Sequence, residues 1–108
     1  MSAYGIAHLR SVDFGPAIVE YLQRIDATLE PYGGKFRVHG GKAEVMEGQW
    51  PGDIVVIAFP DIATARAWYA SPAYQAILAL RADHSVGDLI LVDGCDDDHK
   101  ATDLLVAA

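Results

Sequence analysis

Residues 4–10 alternate, with Tyr4, Ile6, His8 and Arg10 on one side and Gly5, Ala7 and Leu9 on the other, which predicts a strand. The period then changes. Ile18, Leu22, Ile25, Leu29 and Tyr32 recur at spacings of three and four, the stripe of an amphipathic helix, while Glu20 and Arg24 sit one turn apart on a polar flank. Asp13 is placed to cap this helix, Pro16 suits a first turn whose N–H groups have no partners, and Pro31 with Gly33-Gly34 ends it. Residues 35–39 alternate again, with Phe36 and Val38 on one face and Arg37 and His39 on the other. Gly40-Gly41 signals a turn, Ala43–Glu47 is predicted as the second arm of a hairpin, and residues 48–52 read as a loop.

Asp53–Phe59 is apolar on both faces, the mark of a central strand covered on both sides. Asp61 can cap a second helix carrying Ile62, Ala65, Trp68 and Tyr69 along one side. Ser71-Pro72 interrupts it and restarts a third, with a stripe of Tyr74, Ile77, Leu78 and Arg81. Asp88–Val92 forms the last strand, closed by Asp93-Gly94. The order predicts an α+β domain of the ferredoxin-like βαββαβ type over residues 1–94, followed by an acidic C-terminal tail, residues 95–108. Helices on one face leave the other face of an apolar sheet uncovered. A second copy packed there would give a homodimer, a dimeric α+β barrel.

Composition narrows the partners. The 108 residues are 52% hydrophobic and 21% charged, enough apolar material for one core and too little charge for a disordered chain. Eight Lys and Arg against 15 Asp and Glu give a net charge of -7, which argues against nucleic acid and anionic membrane as partners. The tail holds Asp96, Asp97, Asp98 and Asp103 against Lys100 alone, so part of that acidity is a terminal appendage, and a small anionic ligand remains compatible with the domain. A single cysteine, Cys95, makes no internal disulfide, and the Met1-Ser2-Ala3-Tyr4 start lacks the features of a signal peptide, so a cytoplasmic location is expected.

Several segments occur together in a telling order: Tyr32-Gly33-Gly34-Lys35-Phe36, Gly40-Gly41-Lys42-Ala43-Glu44-Val45, Glu47-Gly48-Gln49-Trp50, Trp68-Tyr69-Ala70-Ser71-Pro72-Ala73-Tyr74-Gln75 and Leu89-Ile90-Leu91-Val92-Asp93-Gly94. With them the chain resembles domain-of-unknown-function family thirteen-thirty, within the dimeric α+β barrel superfamily. The resemblance implies the dimeric barrel and brings little mechanism. Better understood members of that superfamily include cofactor-independent monooxygenases, muconolactone isomerase-like enzymes and haem-dependent peroxidases, whose catalytic motifs are not matched here. His39 stands where the family often has Arg.

The candidate chemistry rests on few residues. His8, His39 and Arg81 are the catalytic candidates, because imidazole titrates near neutrality and a guanidinium suits a carboxylate or enolate. Arg37, Trp50, Tyr69, Tyr74 and His84 are the ligand-binding candidates, with Trp50 singled out by its loop position. Trp68, at helical spacing, reads as core. Asp83-His84-Ser85 is not a hydrolase triad, since triads assemble in space. The four histidines show no metal-ligand spacing, so neither metal nor cofactor is expected. The leading expectation is a cofactor-independent enzyme performing proton transfer on a small organic acid or carbonyl compound. The alternative is a non-catalytic small-molecule-binding or stress-related module.

Overall fold

The computed structural model describes residues 2–106. Its elements are β1 (Ala3–Val12), α1 (Pro16–Leu29) continued by a 3-10 turn (Glu30–Tyr32), β2 (Lys35–Val38), β3 (Asp53–Phe59), α2 (Ile62–Ala70), α3 (Pro72–Ala82), β4 (Ser85–Asp93) and a short α4 (Asp103–Val106). The four strands form one antiparallel sheet in the order β2-β3-β1-β4. This is the ferredoxin-like α+β architecture that the element order predicts, with β1 and β3 central and the helices on one face.

The caps of α2 and α3 are as expected. Asp61 accepts from the Thr64 N–H at 2.7 Å, and that bond holds its carboxyl below the ordinary aspartate value. Ser71 ends α2 and starts α3: its Oγ donates to the Trp68 carbonyl and accepts from the Tyr74 N–H, while Pro72 occupies the first helical position. The cap expected of Asp13 is not formed. Gly15 precedes α1 without a side-chain cap, and the Asp13 backbone N–H is spent on the His84 carbonyl, tying the start of α1 to the turn between α3 and β4.

Two further expectations are corrected. Ala43–Glu47 is not a strand: residues 41–52 form one exposed loop, and Gly40, Gly48 and Gly52 turn it through left-handed φ values. β2 makes its ladder with β3 instead, leaving its outer edge free. The stripe of α1 is also rotated. Tyr21 and Thr28 are buried with Ile18, Ile25 and Leu29, whereas Leu22 is 40% exposed, because α1 turns its packed side toward α3 and Leu22 toward the open cleft over the sheet.

The core lies between helices and sheet: Tyr21, Ile25, Leu29, Ile57, Phe59, Ala65, Trp68, Tyr74 and Ile77. Its polar atoms are paired, the Trp68 Nε1–H donating to Thr28 Oγ1 at 3.0 Å and Thr28 donating to the Ile25 carbonyl at 2.7 Å. On β1, Ala3, Gly5 and Ala7 are the buried positions beneath the helices, as the alternation predicts. The opposite face carries the cross-strand rows Ala58-Tyr4-Val92 and Val56-Ile6-Ile90. It is apolar and open to solvent, with Ile90 53% exposed. Gly52 closes the β3 end, where a side chain would run into the backbone of Leu9 and Arg10.

Because the Ser71 hydroxyl satisfies both a helix end and a helix start, Ser71→Ala is expected to lower the unfolding free energy by about 1–2 kcal/mol. Urea denaturation monitored by circular dichroism checks this.

Candidate functional site

Under the N-terminal half of α1 the core does not close. A cleft of about 240 Å³ lies between this helix and the sheet, floored by Ala7 and Leu9 of β1, Val55 and Ile57 of β3, and Leu89 of β4, and roofed by Ile18, Tyr21, Leu22 and Ile25. Its size falls below that of drug-sized ligand pockets, which fits a molecule on the order of ten non-hydrogen atoms.

The polar groups of the cleft come from two sides. Arg81, in the last turn of α3, enters from the side of β4; His39 and Asp53 belong to the side of β2 and β3. β2 and β4 are the two edges of the sheet, three inter-strand spacings or about 14 Å apart, and because Arg81 leads into β4 while His39 follows β2, the two side chains enter the cleft from opposite edges.

The Arg81 end is built from buried aromatics. Tyr21 and Tyr74 place their hydroxyl oxygens 2.9 Å apart, and the Arg81 guanidinium carbon lies 5.8 Å from the centre of the Tyr21 ring. Tyr74 is fully buried, packed between Trp68 and Tyr69. With no other acceptor among the described residues, the Tyr74 O–H must donate to Tyr21 or stay unpaired in the core. When Tyr74 donates, the Tyr21 proton is free for the cleft. Burial pushes the Tyr21 phenol far above the ordinary tyrosine range, Tyr74 pushes it further and Arg81 opposes both; it is therefore a neutral donor and not a base. Burial works against the Arg81 charge, and the phenols of Tyr74 and Tyr21 outweigh it. The buried Arg81 Nε has no hydrogen-bond partner among the described residues.

At the other end, a register shift in β2 decides the outcome. Phe36 pairs with Ile57 and Val38 with Val56, so Arg37 is the extra residue of a bulge and Val38 turns to the helix-free face. His39 thereby joins the Phe36 side, its ring stacked on Phe36 at 4.5 Å, instead of sharing a face with Arg37. Arg37 is exposed.

The remaining candidates lie elsewhere. His8 faces away from the helices, stacked on Trp50 at 4.0 Å with its Nε2 2.7 Å from the Pro51 carbonyl oxygen, so both residues anchor the 41–52 loop to the helix-free face. Arg10 on the same strand is paired with Asp88. Tyr69 packs edge-on against Trp68, and His84 sits in the turn before β4 with a buried, unpartnered Nδ1; neither lines the cleft. Sequence reasoning passed over Tyr21 and Asp53. Tyr21 had a signal, since it lies three residues after Ile18 and four before Ile25 and so completes the buried stripe.

Comparison with known proteins places the chain. The family described as domain of unknown function (DUF1330) matches residues 2–95. The chain belongs to the DUF1330 family. No curated protein matches it. Among solved structures, this DUF1330 chain is similar to a protein of unknown function from Rhodopseudomonas palustris, at 16% identity over 88% of this chain and 83% of that one, with a TM-score of 0.64. A dimeric ferredoxin-like protein of unknown function from Jannaschia superposes with a TM-score of 0.67 at 13% identity, over 87% of this chain and 100% of that one. SnoaB, a cofactor-independent oxygenase from Streptomyces nogalater, follows at 0.54 and 8% identity, over 92% and 98% of the two chains. At these identities the likeness establishes the fold alone. Among the described residues, no group of three or more His, Cys, Asp or Glu could hold a metal ion, and no helix is long and apolar enough to cross a membrane.

The raised Tyr21 pKa carries a sign for alkaline stability. The unfolded phenol ionises near pH 10 and the folded one resists, so stability is complete below about pH 10 and falls above it by about 1.4 kcal/mol per pH unit from this group. Tyr21→Phe is expected to flatten that fall by one proton's worth, read from urea midpoints between about pH 9 and about pH 12.

Proposed function

We propose that this DUF1330 protein is a homodimer whose cleft binds a small molecule with an apolar body and one acidic oxygen, a carboxylate or the enolate of a carbonyl compound. The observation that carries the reading is the unpartnered donor at the Arg81 end of the cleft. Arg81 Nε–H is buried without an acceptor, the Tyr21 hydroxyl beside it has Tyr74 as its one hydroxyl partner, and a guanidinium beside an apolar cavity calls for an anion. A ligand oxygen accepting from both would satisfy them together.

The geometry favours binding over proton transfer by His39. A base that takes a proton next to the acidic oxygen must stand within hydrogen-bond reach of that carbon, and His39 enters the cleft from the β2 edge, opposite the β4 edge that Arg81 leads into. The proton-transfer reading keeps one supporting observation, since a neutral buried phenol beside a guanidinium is the electrophilic half of an enolising site. Deuterium exchange into added carbonyl compounds, followed by NMR, separates the two. Exchange above background that is lost in His39→Ala supports catalysis, and its absence alongside measurable binding supports the binding module.

Binding itself is tested with hydrocinnamate by titration calorimetry. Arg81→Gln is expected to weaken it by about tenfold or more, the worth of a hydrogen-bonded charge, and Tyr21→Phe by less. Equal affinity in wild type and Arg81→Gln would remove the proposal.

The dimer follows from the uncovered rows around Ile6 and Ile90 and is supported by the dimeric relative from Jannaschia. Light scattering is expected to give twice the 11.6 kDa chain mass, and Ile90→Lys to shift it toward the monomer while leaving the fold intact.

A further inference from the structure

The two ends of the cleft differ in charge as well as position. At one end stand Arg81 and the Tyr21 hydroxyl, both donors. At the other stands Asp53, the first residue of β3, paired in register with Leu9 and therefore on the same face as the cleft floor. Its carboxylate makes no ion pair or hydrogen bond with any described residue. His39 lines the cleft beside it, and between the two ends the floor is apolar.

We infer that Asp53 is a specificity-determining residue that restricts the cleft to monoanions and selects those with a hydrogen-bond donor at the end remote from the acidic oxygen. This rests on the proposed seating of that oxygen at Arg81. A ligand held there and long enough to cross the floor brings its far end to the unpaired Asp53 carboxylate. A hydroxyl or amine at that end gains an acceptor. A second carboxylate meets a like charge, which costs about fivefold in affinity at contact in water-like surroundings and more as the ligand displaces water. His39 donates or accepts according to its tautomer and so does not set the sign of the preference.

The test compares hydrocinnamate with its para-hydroxy and para-carboxy analogues, which share one scaffold and differ only at the far end. Affinities are measured by calorimetry at about pH 8, where an ordinary imidazole is neutral, for wild type, Asp53→Asn and Arg81→Gln. Wild type is expected to bind the para-hydroxy analogue at least as well as the parent, and the para-carboxy analogue about fivefold or more weakly, with the gap narrowing at high salt. Asp53→Asn, which keeps the shape and removes the charge, is expected to close the gap between parent and para-carboxy analogue; Asp53→Ser repeats the measurement with a different side chain. If wild type binds the dianion as tightly as the parent, or if the gap persists in both Asp53 variants, the inference is overturned while the binding reading stands. If no analogue binds wild type, or Arg81→Gln binds them equally well, the seating at Arg81 fails and the inference falls with it.

Discussion

The indole N–H of Trp68 donates to Thr28 Oγ1, and Thr28 in turn donates to the carbonyl of Ile25. Both side chains are buried, so neither bond can be exchanged for water, and sliding α2 against α1 would leave the indole N–H unpaired at a cost of about 1–3 kcal/mol. This contact fixes the C-terminal half of α1 against the helix layer, where Ile25 and Leu29 complete the core with Phe59 and Trp68. The N-terminal half of α1 is held differently, through the Tyr21–Tyr74 hydroxyl pair and the backbone tie from Asp13 to His84. It spans the sheet without filling the space beneath it. The cleft is thus a consequence of where α1 is clamped, and its polar end is built by the same tyrosines that join α1 to α3.

Much of this arrangement is legible in the sequence because it depends on local chemistry. Ser71-Pro72 marks the break between α2 and α3, since a hydroxyl cap and a residue without an N–H both belong at a helix start. The small buried face of β1 follows from the period of a strand. What escaped depends on partners distant in sequence. Val38 and His39 exchange faces because a bulge against β3 inserts Arg37, and no feature of residues 35–39 alone specifies which partner they register with. Ala43–Glu47 alternates like a strand yet forms no ladder: it belongs to an exposed loop turned by Gly40, Gly48 and Gly52, and the outer edge of β2 has no partner among the described residues. Tyr21 was hidden by a stripe drawn for packing on the sheet, whereas α1 packs against α3.

The sheet has two apolar faces and only one layer of helices. Ile6, Val56, Ile90 and Val92 form an uncovered patch that a monomer in water bears at a cost, and burying it against a second copy returns about 25 cal/mol for each Å² removed from water. His8 and Trp50 belong to that face, where their stack pins an otherwise unanchored loop, and this explains their aromatic and polar character without a ligand. The residues with chemistry are therefore divided between two jobs, with His8 and Trp50 on the outer face of the sheet and Arg81, Tyr21, His39 and Asp53 around the cleft.

That division bears on why a small acidic protein should keep an unpaired guanidinium nitrogen in an apolar cleft. A buried donor without an acceptor costs stability, and replacing Arg81 by an aliphatic residue of similar length would remove the cost. The phenols of Tyr21 and Tyr74 support the guanidinium charge against burial, and the part they leave unmet is the buried Nε–H. An occupant that brings an acceptor resolves the imbalance. The proposed ligand would give Arg81 Nε that acceptor, cover the apolar floor, and stabilise the folded chain by an amount that grows with the logarithm of its concentration over its dissociation constant. The same reasoning bounds the chemistry proposed for the cleft: no side-chain base stands with Arg81 and Tyr21, so a reaction there would draw its proton acceptor from the ligand, from water, or from His39 or Asp53.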